Sequence, residues 1–208
     1  RLYIGPEAFD NAPYMLNCRN GVVSLVDGTL FQHYAKSHRF TYCIDIDYDP
    51  TADTSIVEKH YREDLANPAE MVPFLKRAFG YSLTGSTREE KIFYPYGPSR
   101  SGKDTGIGAF LKMIGSPLAR EVTFETLTNT RYGDTNRADI ATLKPARFVL
   151  ASESERIRQM NAATIKNLSG GNDQFVAFKR RDHFSYTPQF KMWLVSNWPI
   201  NADVEDNA

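Results

Sequence analysis

Gly97, Gly102 and Lys103 are the residues of this sequence whose types and spacing speak most directly of chemistry. Two glycines with four residues between them, and a lysine directly after the second, let consecutive backbone N–H groups converge on phosphate oxygens while the lysine reaches the outer ones. Pro98, Ser99, Arg100 and Ser101 complete that loop. A helix starting at Gly102 would point its positive end at the same anion and carry Phe110, Leu111 and Ile114 on its inner face. The residue after such a lysine is normally Ser or Thr, whose hydroxyl holds magnesium. Here it is Asp104, with Thr105 next.

Two apolar runs later in the chain end in polar groups that suit the same site. Phe148, Val149, Leu150 and Ala151 run through Ser152 into Glu153, as a buried parallel strand would deliver a carboxylate to a metal ion and an attacking water. An ordinary strand ending in a solvated turn has the same composition. Residues 190–197 read as a second short strand ending in Asn197, whose amide can meet a terminal phosphate or orient water without adding charge. Taken singly, that Ser-Asn pair is equally a turn.

The elements that would position these groups follow from pattern. Residues 162–168 read as a short helix bearing Lys166, and residues 174–178 and 184–186 pair as strands around Lys179, Arg180, Arg181, Asp182 and His183. Residues 156–191 hold seven Lys or Arg against two acids. A hairpin tip of cations and aromatics suits a phosphate backbone and stacked bases, though inert surfaces carry such clusters too. Residues 138–143 read as a helix after a polar connection. Upstream of residue 84 the chain differs in kind, with hairpin signals at Asn20 and Gly21 and at Asp27 and Gly28. An extended piece follows over 41–48, and then a helix with Met71, Phe74, Leu75, Ala78 and Phe79 at helical spacing. Gly80 and Gly85 offer stops. Asp45, Asp47 and Asp49 alternate as the solvent face of a half-exposed strand would.

Composition sets the outer limits. The chain has 208 residues, 41% hydrophobic and 24% charged, with no net charge, so it is globular and carries no global field for nucleic acid. Cys18 and Cys43 lack metal-like spacing and read as buried, reduced thiols of a cytoplasmic protein. No apolar run reaches membrane-spanning length, so no membrane partner is expected. The chain begins on Arg1 and reads as a fragment.

In order and compactness, residues 97–103, 148–153, 165–171 with Thr187 and Pro188, and 191–197 resemble the superfamily III helicase domain. The closer similarity is to the phage and plasmid primase–helicase family and its large DNA virus relatives. Residues 16–21, 47–50 and 80–85 are similar to the segment that precedes the ATPase in that family, and the resemblance spans about residues 15–201. It implies an α/β P-loop NTPase core of AAA+ type over residues 86–208, preceded by a small α+β and helical domain over residues 1–85. By position it implies that residues 97–105 bind ATP, with Lys103, Glu153 and Asn197 catalytic and Asp104, Thr105 and Glu153 holding Mg2+. Lys166, Lys179, Arg180, Arg181 and His183 would face single-stranded or forked DNA in a homo-oligomeric, hexameric ring, with a fused or associated primase. The family's arginine finger lies past residue 208.

This sequence departs from the family at Asp104, at Ser152, where many P-loop enzymes have a second acid, and at Phe178, where the family often has Arg. The expected activity is ATP-dependent DNA helicase or translocase action in replication of a virus, phage or plasmid. The alternative is a nucleotide-regulated DNA-binding assembly module whose hydrolysis Asp104 weakens or abolishes. A small-molecule kinase would share the loop but leave the basic hairpin and Asn197 unexplained.

Overall fold

The computed structural model describes residues 8–33, 39–123, 135–152, 162–178 and 182–199. The fold is mixed α/β. Strands β1 (Met15–Cys18), β2 (Gly21–Ser24) and β3 (Leu30–Phe31) form an antiparallel sheet in that order. Gly21 makes the first turn possible: its φ of 152° suits glycine, and a Cβ there would strike the Phe31 carbonyl. Residues 41–48 then run extended beside β1, bonded through Ile44 N to Asn17 O at 2.9 Å. Their alternation has the expected sense, since Tyr42 and Ile44 are buried while Asp45 and Asp47 pair with Arg19 at 3.5 and 3.3 Å. Asp49 instead accepts bonds from Thr51.

Helices α1 (Ser55–Asp64) and α2 (Pro68–Leu83) follow, joined by Lys76 and Glu58 at 2.6 Å. Two expectations for α2 need correction. Its buried residues are Val72, Ala78 and Ser82, whereas Met71 and Phe74 are exposed. The helix also runs through Gly80 to Leu83, because its last turn is held from outside: Trp193 Nε1 donates to Ser82 Oγ at 3.0 Å.

The second sheet is parallel. Strands β4 (Ala119–Thr123), β5 (Phe148–Ser152) and β8 (Lys191–Val195) lie in the order β4-β5-β8, with Ala119, Phe148 and Lys191 in register at their starts. Every residue of β8 and the first four of β5 are buried, as expected of parallel strands covered on both faces. Residues 92–96 run parallel to the free side of β8 through Phe93 N to Met192 O (2.9 Å) and Leu194 N to Phe93 O (2.8 Å). Pro95 has no N–H to give, so that ladder is broken into separate bridges. The chain therefore passes from residues 92–96 through helix α3 (Lys103–Ile114) to β4 at the far side, and returns to β8 last. Helix α4 (Thr135–Ala141) precedes β5, and helix α5 (Ala162–Ser169) leads into the antiparallel pair β6 (Gln174–Ala177) and β7 (His183–Tyr186).

One core joins the two regions. Leu16, Val23 and Ile44 share an apolar cluster with Ile107, Phe148 and Trp193. Trp193 stacks on Phe79 of α2 at 4.7 Å and on Phe93 at 4.5 Å. Two buried cations complete the joint. Arg147 Nη1 donates to Met15 O (2.8 Å) and Leu83 O (2.9 Å), and its Nη2 to Ala12 O (3.0 Å). Lys191 Nζ donates to the carbonyls of Thr84, Ser86 and Gln189, which removes Lys191 from any basic surface.

Candidate functional site

The glycine-rich loop joins residues 92–96 to α3 at the C-terminal end of β8. Its entry is anchored there. Gly97 N donates to Ser196 O at 3.3 Å, and Tyr94 Oη donates to Trp198 O at 2.9 Å. Within the turn Arg100 takes a φ of 67° and Gly102 a φ of 79°. Gly102 is the residue before α3, and its left-handed conformation is one that glycine adopts without steric penalty. It is confined as well, because a Cβ at Gly102 would collide with Asp64 Oδ2 and lie 3.2 Å from His60 Cε1. Those two side chains of α1 pair with each other at 3.0 Å. Nothing in the sequence pattern singled out Asp64 or His60, since their role depends on the packing of α1 against the loop.

Lys103 is the centre of the arrangement. Its side chain is 10% exposed, and its ammonium donates to Asn197 Oδ1 at 2.8 Å and to Pro98 O at 3.2 Å. Asp104 Oδ2 lies 3.8 Å from the same nitrogen, but the Asp104 side chain is 70% exposed. The first turn of α3 is closed by Thr105 N and Gly106 N on Gly102 O. Thr105 is exposed beside Asp104. A helix start, a left-handed glycine and a held ammonium meet here, groups of the kind that suit an oxyanion.

The other expected residues fall as follows. Ser152 ends β5, and Glu153, next in sequence, lies outside the described residues, as do Lys179, Arg180 and Arg181. Lys166 is exposed on α5, and His183 is exposed on β7 with its ring stacked on Phe175 at 4.9 Å. Among the described residues no group of three His, Cys, Asp or Glu gathers to hold a metal ion, and no helix is long and apolar enough to cross a membrane. Both cysteines are free thiols, but only Cys18 is buried, and burial pushes it up to about 11. Cys43 is exposed, contrary to expectation, because it sits on the outward side of an alternating segment.

Residues 3–65 match the D5_N family, described as D5 N terminal like. No curated protein matches the chain. Among solved structures, the A form apo structure of the NrS-1 C terminal region has a TM-score of 0.61 at 13% identity, covering 81% of this chain and 40% of that one. A second A form apo structure, of NrS-1 residues 305–718, gives 0.57 at 14% identity, covering 78% and 37%. The apo structure of the same region gives 0.55 at 13% identity, covering 78% and 38%. The chain thus spans about two fifths of the length of these structures and shares their fold. The D5-like match is confined to the N-terminal segment, and the solved structures show a shared fold.

Proposed function

We propose that the chain is the ATP-binding part of a superfamily III DNA helicase or translocase, acting in replication of a phage, virus or plasmid. In this reading residues 86–208 belong to a P-loop core of AAA+ type and residues 1–85 to an N-terminal domain. The observation that carries it is the 2.8 Å bond between Lys103 Nζ and Asn197 Oδ1. It joins the loop's cation to the end of the neighbouring strand, at the C-terminal edge of the parallel sheet where such folds bind ligands. The strand order supports it too, since residues 92–96 lie beside β8 and the next strand lies beyond β5.

The work of each residue follows from charge and position. Backbone donors of residues 99–103 would hold the phosphates, Lys103 would swing from Asn197 and Pro98 onto the outer oxygens, and Asn197 would then orient water or read the terminal phosphate. Thr105 and Asp104, with Glu153, are the side chains to hold Mg2+, which supplies charge screening at the phosphates. Asp104 brings a second negative charge to that place, and screening by the metal is what offsets the repulsion. Lys166, His183 and the bases Lys179, Arg180 and Arg181 would meet single-stranded or forked DNA. Assembly would be a homo-oligomeric ring, hexameric in this family, with a primase fused or associated.

The test is magnesium-dependent ATP hydrolysis with and without single-stranded DNA, for the native chain, Lys103→Ala and Asp104→Ser. DNA-stimulated turnover that Lys103→Ala abolishes is the expected result. Turnover indifferent to Lys103→Ala overturns the proposal. Turnover only in Asp104→Ser selects the second reading, a nucleotide-regulated DNA-binding module silenced by the exposed carboxylate 3.8 Å from the lysine.

A further inference from the structure

At the opposite end of the parallel sheet, where β4, β5 and β8 begin, lies a cavity of about 900 Å³. That size falls in the range of small-ligand sites, about 300–1,000 Å³. The N-terminal segment contributes Tyr42, the strand starts contribute Arg120 and Arg147, and the β6–β7 hairpin contributes Tyr186. A sheet five residues long separates it from the lysine loop, roughly 16 Å at the usual strand rise.

The lining is cationic. Among the described residues, Arg120, Lys144 and Arg147 stand against one carboxylate, Asp10, which is already engaged by the backbone N–H and hydroxyl of Thr41. Arg147 spends its hydrogen bonds on three carbonyl oxygens, none of which neutralises its charge. Tyr42 is 6% exposed, yet its hydroxyl has no hydrogen-bond partner, and the buried Nε of Arg120 has none either. Both atoms are sealed from the cavity as they are from solvent, so the donors left to a ligand are the rest of the half-buried Arg120 guanidinium and the exposed Lys144 ammonium. Three cations with one engaged acid match a phosphate better than a single carboxylate. The remaining wall is aromatic: Phe178 and Tyr186 line it, and Lys144 Nζ lies 5.3 Å from the centre of the adjoining Phe184 ring.

We propose that this cavity binds a nucleotide, with the phosphate at Arg120 and Lys144 and the base against the hairpin's aromatic wall. The site is separate from the lysine loop and does not depend on its assignment. The same chemistry has two sources, a free nucleotide or the terminal nucleotide of a single strand. Because the walls come from the N-terminal segment, the sheet and the hairpin, the ligand would bridge all three.

Calorimetric titration of the whole chain tests it with three probes: thymidine monophosphate, an oligothymidylate bearing a terminal phosphate, and inorganic phosphate. Binding of the monophosphate assigns a free nucleotide, and binding of the oligonucleotide alone assigns a strand end. In either case Arg120→Gln should weaken it by about tenfold or more, as loss of one charge-assisted contact predicts. Lys144→Gln should weaken it several-fold with unchanged melting, since that side chain is exposed. Lys103→Ala should leave it intact. No binding by either nucleotide probe overturns the proposal, as does binding lost in Lys103→Ala but kept in Arg120→Gln. Inorganic phosphate binding as tightly as the monophosphate also overturns it, because the aromatic wall would then contribute nothing.

Discussion

Lys103 Nζ and Asn197 Oδ1 are 2.8 Å apart across 94 residues of sequence. The amide both holds the ammonium in place and is positioned by it, so Asn197 shares the environment of any anion that reaches the loop. Changing it should separate binding from turnover. Asn197→Ala is expected to lower ATP hydrolysis by about 10²-fold, the scale of one lost donor at a charge-developing site. Nucleotide affinity should change far less, and steady-state rates beside equilibrium titration check the pair. Equal losses in both would show that Asn197 only supports binding.

Gly102 carries two separate constraints, a φ of 79° and the close approach of Asp64. Gly102→Ala is expected to lose about 1–3 kcal/mol of stability, the usual range for a strained backbone position. Adding Asp64→Ala should recover the collision and leave the backbone part. Urea denaturation of the single and double variants measures both, and full recovery in the double variant would show that the backbone carries no strain.

Arg147 supplies donors to Ala12, Met15 and Leu83 from the start of a strand in the other sheet. Arg147→Met keeps the volume and removes all three bonds. At about 1 kcal/mol for each acceptor left bare, the loss should be about 3 kcal/mol. Hydrogen exchange should accelerate first in β1 and β2. Uniform acceleration across both sheets would instead mean that the joint is not a separate unit.

Lys191 gives a pH dependence whose sign is set by its burial. Desolvation, followed by the neighbouring charge of Arg147, lowers its pKa from 10.5 to about 7. Between those values the unfolded chain binds more protons than the folded one, so stability contributed by this group rises with pH from about 7 upward and is flat below. Cys18 acts in the opposite sense from about 9 to 11, since its folded value is raised. The clean window is therefore pH 7 to 9, where the native chain should gain stability relative to Lys191→Met. Parallel melting curves for the two chains across that window would contradict the assignment.

Turn chemistry and apolar runs made much of the fold legible. Asn20 and Gly21 mark a turn by their own conformational preferences, and the hairpin they predict is present with Cys18 opposite Gly21. The pairing of β6 with β7 and the buried runs of β5 and β8 were readable for the same local reason. Strand β4 was not, because Arg120 and Glu121 interrupt its apolar pattern. The inner face of α2 was placed one position off in part, with Val72 buried in place of Met71, and Gly80 did not end the helix. Both outcomes were decided by what packs against α2, above all Trp193.

The sequence by itself determined where the loop falls and how it turns into α3, because glycine at 102 and lysine at 103 act through their own backbone freedom and charge. It also marked the hairpins and the buried runs of β5 and β8, through period and turn residues. Only the tertiary structure decided which distant groups meet those residues: Asn197 on the ammonium, Asp64 against Gly102, and Arg147 and Lys191 turned inward onto carbonyls far from them in the chain. Such partners share no local pattern. Their meeting depends on strand order and helix packing, which are settled by burial of the whole apolar set rather than by any short segment.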